Sequence, residues 1–542
     1  MLLSMLKKAV VQTAALFVLA SAGTAYAYDV SLKPFTDVTN EDWFQNEVYS
    51  LSALGIIDGY SDLTYKPEAT LTREAFIKLL MNANQVEVAS ASVSGVAGAP
   101  VDVEQGRWSY PFVSAAYERK WLDFMLDSQG KFHPEHAITR EEVASIVGKA
   151  LLDAQTAESR NHWTLQGWHD EKEKRNFADS DALNQNLLPY AYFAVNQGIM
   201  EGDQTGFHPK QALTRKEAAA IIYRVIQREV DTRELDTVGF YAINSYPAIN
   251  HMPLLDQVTF GWSHLRYEAP GNAQLETATT EYRIPNGWEE VVQTANAANI
   301  QKNLMVYYGE KNLKDFLKDE PAQKAFIQSL KGVLTDARYG FTGVTIDFEG
   351  LMDATSAPDY SQFLKALKAA IPTYPLTVTV QPDYYYKGYD LKEISALADT
   401  VVLMAYDFTH NDSKLPSAPL PLVNDAVKRT LAIVPKEKLV LGISKQANQW
   451  ITANGVAELY NPEIEAVEKR LVTPGVNQSM SLPYFLREIS FQDDRGSHDI
   501  YYEDTASVDK KVWLAKYYGL KGISLWYMGN YTESDWALFN PK

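Results

Sequence analysis

The chain has 542 residues, 50 basic against 68 acidic side chains for a formal charge of −18, and no cysteine. This length is too great for one compact core, and the acidic balance argues against a nucleic-acid binder. The lack of cysteine excludes disulfides, thiolate catalysis and cysteine-ligated zinc. A soluble multidomain protein that works outside the cell fits these limits.

Residues 1–27 read as a secretory signal peptide. Lys7 and Lys8 precede an apolar run, and Ala25-Tyr26-Ala27 is a small-x-small cleavage site, so the mature chain is expected to start near Tyr28. An uncleaved membrane anchor is the alternative, but the run is short for a bilayer span. No later segment is long and apolar enough to cross a membrane, so the mature chain is predicted to lack a membrane span.

Three internal repeats follow, predicted at 33–86, 98–152 and 175–229. Each has an aspartate motif near its start and a Thr-Arg-Glu or Thr-Arg-Lys-Glu motif at the start of its second helix. In the first repeat a helix from about Asn46 to Leu54 precedes a helix capped by Thr72. Two short helices bury little surface alone, so the copies must pack together. Residues 87–100 and 153–175 read as linkers, and the second has no predicted role.

These repeats resemble the S-layer homology family, whose F-x-D-V, G-I-I-x-G, F-x-P and T-R-A-E motifs are spread over residues 33–229. The resemblance implies an all-helical domain that binds an acidic secondary wall polymer on a Gram-positive-type cell surface. The polymer-binding arginines of the family fall on Arg73, Arg140 and Arg215, which could otherwise be solvated helix-start charges. The first repeat departs by reading Thr-Arg-Glu-Ala, and the second lacks G-I-I-x-G.

Residues 236–542 show strand-like runs that alternate with helices such as Tyr360–Ala370 and Asp509–Tyr518, which predicts an α/β fold. Eight strands favour a closed (β/α)8 TIM barrel over a doubly wound open sheet. The predicted strands are Thr237–Ala242, Gln257–Trp262, Asn303–Tyr308, Gly343–Phe348, Leu376–Val380, Thr400–Tyr406, Lys438–Ile443 and Gly522–Tyr527.

The fourth predicted strand carries two acids, Asp347 and Glu349. Because side chains alternate along a strand, both should point into the barrel with Thr345, about 6–7 Å apart at Cα. Their repulsion should raise the pKa of one carboxyl, as a general acid near neutral pH requires. The end of a barrel strand is where barrel enzymes place catalysis. Satisfying buried polar partners, or binding a metal, are the alternatives.

This segment resembles the D-G-x-D-x-D-x-E signature of family 18 glycoside hydrolases. Met404-Ala405-Tyr406-Asp407 resembles the family's M-x-Y-D, and Trp526 resembles its sugar-platform tryptophan. Gln381 follows the fifth strand, where the family often has a polar cleft residue. The surrounding residues are more similar to the peptidoglycan and spore-cortex branch than to typical chitinases.

The resemblance implies substrate-assisted, retaining hydrolysis of an N-acetylated polysaccharide, with no cofactor and no metal. Glu349 would protonate the glycosidic oxygen, and Asp347 would orient the substrate acetamido group. Tyr406 would bond the acetamido oxygen, while Trp526, Asp407, Met404 and Gln381 would contact the sugar.

Two departures from the family are visible. Thr342 and Thr345 replace two aspartates of the signature, and Val306-Tyr307-Tyr308-Gly309 replaces the S-x-G-G stretch. Thr345 could lower the rate or shift the pH optimum. An inactive glycan-binding surface protein is therefore the alternative function, and a purely structural surface-layer protein is a third. Peptidoglycan, chitin and other N-acetylglucosamine polymers all remain open as substrates, as do endo and exo action.

Overall fold

A computed structural model describes residues 32–86, 98–409 and 414–539. The predicted signal peptide, and most of the predicted linker at 87–100, lie outside these residues. Among the residues described, no helix is long and apolar enough to cross a membrane.

Three pairs of helices lie within the three predicted repeats. The predicted N-cap of the second helix is present, since Thr72 Oγ1 accepts a hydrogen bond from the backbone N–H of Ala75. Thr139 and Thr214 cap the equivalent helices. The six helices are Gln45–Ala53, Arg73–Ala83, Tyr110–Glu118, Arg140–Asp153, Leu188–Asn196 and Arg215–Thr232.

Short antiparallel bridges connect each repeat to both others. They pair Thr70 with Thr214, Thr72 with Ala137 and Thr139 with Ala212. This region is therefore not purely helical, because a few residues between the helices form isolated β-bridges. Since the third repeat pairs back to the first, the three copies form a closed ring.

The predicted linker at 153–175 is largely helical, with α-helices Ala157–His162 and Trp168–Lys174. It packs on the third repeat: Trp163 Nε1 donates to the Pro189 carbonyl at 2.7 Å, and its ring meets Phe193 edge-on. Its role is therefore to cover the third repeat, which its polar composition did not suggest.

Eight parallel strands form a closed barrel, as predicted. The first strand pairs with both the second and the eighth, so the sheet has no open edge among these strands and the doubly wound alternative is wrong. In order, strands one to eight are Asp236–Tyr241, Gln257–Ala269, Gln301–Tyr308, Gly343–Phe348, Leu376–Val380, Thr400–Leu403, Leu439–Ser444 and Gly522–Trp526.

Helices surround the barrel and cover the outward side chains of its strands. On strand four, Phe348 stacks on Phe363 with ring centroids 5.4 Å apart, so the outward phase is the one the alternation predicted. The helices are Trp288–Ala297, Leu313–Phe316, Glu320–Leu334, Ala357–Ala370, Leu391–Leu397, Leu420–Leu431, Thr505–Tyr518 and Glu533–Trp536.

A second sheet, absent from the predicted elements, is inserted between strand seven and helix Thr505–Tyr518. Lys414, in the loop after strand six, donates to Asp499 and Thr452 of this sheet at 2.9 and 3.0 Å. The insertion therefore stands beside the carboxyl ends of the barrel strands. It comprises helix Ile464–Leu471 and five antiparallel strands, Asn448–Ala453, Val456–Tyr460, Asn477–Ser481, Leu486–Asp493 and Gly496–Tyr502.

Helix Thr505–Tyr518 packs on the repeats as well as on the barrel. Lys510 Nζ donates to Asn46 Oδ1 and Ser50 Oγ, both at 3.0 Å. Trp513 Nε1 donates to Gln227 Oε1 at 3.0 Å. Because this helix has partners on two faces, it lacks the one-sided apolar stripe of a surface helix.

Candidate active site

Asp347 lies at the end of strand four on the inner side of the barrel, and Glu349 directly follows the strand's last residue, Phe348. Asp347 is only 2 % exposed, and its Oδ1 accepts a hydrogen bond from Thr379 Oγ1 of strand five at 2.5 Å. Glu349 is half-buried, and its backbone N–H donates to the carbonyl of Tyr308. The structure therefore brings the two predicted acids to one side of the strand.

Burial perturbs both carboxyl groups in the same direction. It raises the pKa of Asp347 to about 6, although the Thr379 hydroxyl opposes the rise. The pKa of Glu349 lies well above its usual range, first because of burial and then because of the nearby charges of Asp347 and Asp407. A neutral Glu349 beside an ionisable Asp347 suits proton donation near neutral pH.

Tyr406 and Asp407 lie in the loop after strand six, which ends at Leu403 rather than at Tyr406 as predicted. Asp407 adopts a left-handed backbone with φ 61°, and its N–H donates to Ser417 Oγ at 3.0 Å. Burial and then the charges of Glu349, Asp407 and Asp347 raise the pKa of Tyr406, so its hydroxyl stays protonated and can donate. The structure thus brings both residues to the two acids.

Gly442 on strand seven makes room for the Tyr406 ring. A Cβ at this position would lie 2.9 Å from the Leu403 carbonyl oxygen and 3.2 Å from Tyr406 Cε1. Since real Cβ atoms tolerate such distances poorly, a larger residue here would displace the tyrosine.

Trp526 is the last residue of strand eight and packs in one apolar cluster with Tyr282 and Tyr307. Its partly buried ring meets Phe240 edge-on, with centroids 5.4 Å apart. Met404 is almost entirely buried, which leaves it little surface for a sugar.

Gln381 supports the backbone that follows Glu349. Its Oε1 accepts hydrogen bonds from the Gly350 N–H at 2.8 Å and from the Tyr389 hydroxyl at 3.2 Å, and the residue also bonds Tyr386. Its carbonyl is therefore occupied, and any bond that it makes to a substrate falls to its amide N–H.

Two tyrosines that the sequence analysis did not select also line the site. Tyr282 and Tyr307 stack with centroids 4.8 Å apart and planes at 12°, and burial raises the pKa of both. Tyr307 lies in the inward phase of strand three, so strict alternation could have found it. Tyr282 comes from the loop after strand Asn272–Glu276, where nothing local indicates it.

Below Asp347 the barrel interior holds a neutral polar layer. Asn303 Nδ2 donates to Thr345 Oγ1 at 3.1 Å and to Thr377 Oγ1 at 3.2 Å. Thr345, which replaces an aspartate of the signature, is completely buried in this layer. The partner of Asp347 is therefore a hydroxyl from strand five.

The three predicted polymer-binding arginines each reach the next repeat in the ring. Arg73 donates to the Phe132 carbonyl, Arg140 to the Phe207 carbonyl and Arg215 to the Tyr65 carbonyl, at 2.7 to 2.9 Å. Each guanidinium therefore clamps two repeats together. This clamp is a structural role that the motif spacing did not indicate.

The three clamps differ in their charge environment. Glu142 Oε1 lies 2.5 Å from Arg73 Nη2, and Glu217 Oε1 lies 3.9 Å from Arg140 Nη1. The equivalent capping position in the first repeat is Ala75. Consequently, no carboxylate of the described residues lies within 4 Å of Arg215, whose guanidinium packs against the rings of Tyr60 and Tyr65.

Two family models match the chain. The model of "Glycosyl hydrolases family 18" matches residues 235–530, more than half of the chain. The S-layer homology domain model matches residues 34–77 and 186–219, within the first and third predicted repeats.

Several individual proteins are similar to parts of the chain. A cortical fragment-lytic enzyme of Bacillus subtilis is 27% identical over 243 residues, 42% of this chain and 55% of that enzyme. The chain thus spans little more than half of that relative. A surface-layer 125 kDa protein of Lysinibacillus sphaericus is 23% identical over 87% of this chain and 35% of its own. The spore cortex-lytic enzyme SleL of Bacillus cereus has a solved structure with TM-score 0.48 and 20% identity, covering 57% of this chain and 74% of SleL.

The closed parallel barrel, the acids at the end of its fourth strand and the family match over the whole barrel agree. The chain belongs to the glycosyl hydrolases of family 18, and S-layer homology domains precede its catalytic barrel.

Proposed function

We propose that the protein hydrolyses β-1,4 bonds next to N-acetylglucosamine, in peptidoglycan or a chitin-like glycan, while its three repeats hold it on the cell wall. The observation that carries the proposal is the placement of Glu349. Its raised pKa keeps a proton on an acid that borders the barrel mouth, beside the anionic Asp347.

The proposed reaction retains the anomeric configuration and uses the substrate as nucleophile. Glu349 gives its proton to the glycosidic oxygen, and the carbonyl oxygen of the sugar's 2-acetamido group attacks C1 as the bond to the leaving group breaks. Asp347 accepts a hydrogen bond from the acetamido N–H and stabilises the positive charge that develops there. Water then opens the oxazolinium ion and Glu349 takes the proton back.

The remaining groups position the sugar. The neutral Tyr406 hydroxyl donates to the acetamido oxygen, with Asp407 beside it, and Trp526 forms an apolar surface under the ring. Met404 and Gln381 support the site indirectly. Met404 packs in the barrel interior, and Gln381 fixes the Gly350 backbone that follows the proton donor.

A wall glycan is the substrate that best fits the whole chain. The relatives named for cortex lysis favour peptidoglycan over chitin, and the surface-layer relative supports a place at the cell surface. Secretion through the signal peptide at 1–27 would bring the protein there.

Anchoring is proposed to use the three inter-repeat grooves at Arg73, Arg140 and Arg215, with an acidic secondary wall polymer as partner. Of the three grooves, the one at Arg215 should bind an anion most strongly, because no carboxylate of the described chain neutralises its guanidinium. The exposed Tyr60 ring beside it offers a stacking surface for a sugar.

A glycan-binding protein without hydrolysis is the second candidate. It is favoured by one observation, the neutral Asn303, Thr345 and Thr377 layer in place of a second acid below Asp347. Such a protein would bind the same glycans and release no new reducing ends.

Incubation of the protein with chitooligosaccharides and with purified peptidoglycan tests the proposal. Mass spectrometry of the products should show N-acetylglucosamine at the new reducing ends. Glu349→Gln should abolish release while the melting temperature changes little, because the amide keeps the shape of the acid. Full activity of this variant, or no products from the unmodified protein on either glycan, would refute hydrolysis at this site.

A further inference from the structure

Thr379 is the residue of strand five that meets Asp347 inside the barrel. It is 1 % exposed, and its hydroxyl lies 2.5 Å from Asp347 Oδ1. Its second acceptor, the Ile346 carbonyl oxygen, is 3.4 Å away and so binds more weakly. An O–H to carboxylate bond this short is typical of an ionised acceptor.

Nothing else in the described chain supports the Asp347 carboxylate by a side-chain hydrogen bond. The layer below it is neutral and already paired, since Asn303 donates to both Thr345 and Thr377. Gly343 keeps this layer in place, because a Cβ there would lie 2.3 Å from Asn303 Oδ1. The carboxylate therefore has no acid beneath it with which to share a proton.

We propose that Thr379 is the positioning residue of the reaction, a single hydroxyl that holds Asp347 ionised and turned toward the substrate's acetamido group. This inference rests on the proposed function of Asp347. A carboxylate so deeply buried is expected to take up a proton unless a donor stabilises its charge. Thr379 is the donor that the barrel provides.

Most of the titratable groups around Asp347 stay neutral near pH 7, so they contribute little to the pH dependence of its ionisation. Glu349 is the acid that directly follows strand four, and five tyrosines interact with the charge of Asp347 from strand three, a helix and the loops. Burial raises the pKa of each of these tyrosines, so they stay neutral through neutral pH. They are Tyr282, Tyr307, Tyr360, Tyr389 and Tyr406.

Thr379→Val removes the hydroxyl and keeps the volume, and Thr379→Ser keeps the hydroxyl. We expect the valine variant to lose roughly tenfold or more in kcat on chitooligosaccharide or peptidoglycan, with KM changed far less, because the lost bond supports the transition state. The acidic limb of its pH–rate profile should move up by about one pH unit, because one hydrogen bond no longer favours the ionised acid. The serine variant should keep the limb of the unmodified protein.

Thr377→Val is the matched control, since it changes a threonine two residues earlier on the same inward face. It should leave the acidic limb in place. An unmoved limb in Thr379→Val, or an equal shift in Thr379→Ser or Thr377→Val, would overturn the positioning role. If the valine variant does not fold, Thr379→Ala supplies the same comparison.

The pH dependence of the melting temperature separates this inference from the proposed function. Loss of the Thr379 hydroxyl should move the acid-dependent part of that curve upward by about one pH unit whether or not the protein hydrolyses glycan. An unmoved curve refutes the inference alone, whereas full activity of Glu349→Gln refutes the proposed reaction and leaves only the effect of the Thr379 hydroxyl on the ionisation of Asp347.

Discussion

Replacing Asp347 by asparagine should stabilise the protein while it disables the reaction. The pKa of this carboxyl is about 6 in the folded chain against an ordinary value of 3.8. That difference of about two pH units corresponds to about 3 kcal/mol of unfolding free energy. The amide oxygen can still accept the Thr379 hydroxyl, so the substitution removes the charge and little else.

The sign follows from the raised pKa. The native state favours the protonated carboxyl, so this stability is complete below about pH 4, the unfolded pKa, and is lost as the pH rises through 6. The Asp347→Asn variant keeps this stability as the pH rises, because its amide does not ionise. For a barrel of roughly 300 residues, about 3 kcal/mol raises the melting temperature by about 5 °C.

Calorimetry of the full chain at pH 4.5 and pH 8 measures this effect. The variant should melt higher than the unmodified protein at pH 8, and the gap should shrink by more than half at pH 4.5. Glu437→Gln, which changes an exposed acid before strand seven, should give the same small difference at both pH values. A gap that is equal at both pH values, or a less stable variant at pH 8, would show that the burial of Asp347 is not the cause. In parallel, kcat should fall by about 100-fold or more, because the charge that faces the reacting amide is gone.

Further predictions concern the pH profile, the floor of the site and the anchor. Hydrolysis should decline below about pH 6, as the buried Asp347 and Asp407 take up protons, and again at alkaline pH as Glu349 loses one; a rate still rising as the pH falls to 5 would contradict this. Gly442→Ala should cost at least about tenfold in kcat by pushing Tyr406 aside, whereas Gly332→Ala, where a Cβ meets nothing within 4 Å, should leave kcat unchanged. Co-sedimentation with protein-free cell walls should fall more for Arg215→Gln than for Arg73→Gln, because both lose a clamp and only Arg215 lacks a neutralising acid; the reverse order would contradict the open groove.

The sequence predicted the barrel well because its signals are local. Alternation along Gly343–Phe348 fixed which side chains point inward, and the eight apolar runs gave the strand count. The short repeats of motifs likewise located the helix pairs. Each of these patterns lies within about ten residues, so it can be read from the sequence without knowing which distant residues pack against it.

What the sequence did not predict depends on contacts between distant segments. The sheet at 448–502 alternates weakly and could pass for loops after strand seven. Tyr282 reaches the site only because the segment after strand Asn272–Glu276 stacks it on Tyr307 of strand three. The clamps of the three arginines are set by carbonyl groups about 60 or 150 residues away, which no motif records.

The ring of repeats has one further consequence. In a linear array, a unit can be added or removed at an end and the rest survives with a new end. Here the Arg215 guanidinium returns to Tyr65, so no copy is terminal and each depends on both others. Deleting one repeat would therefore expose two contact surfaces at once, and a fourth repeat would find no free surface to pack on. An anchor of this kind is therefore expected to contain three repeats or a multiple of three.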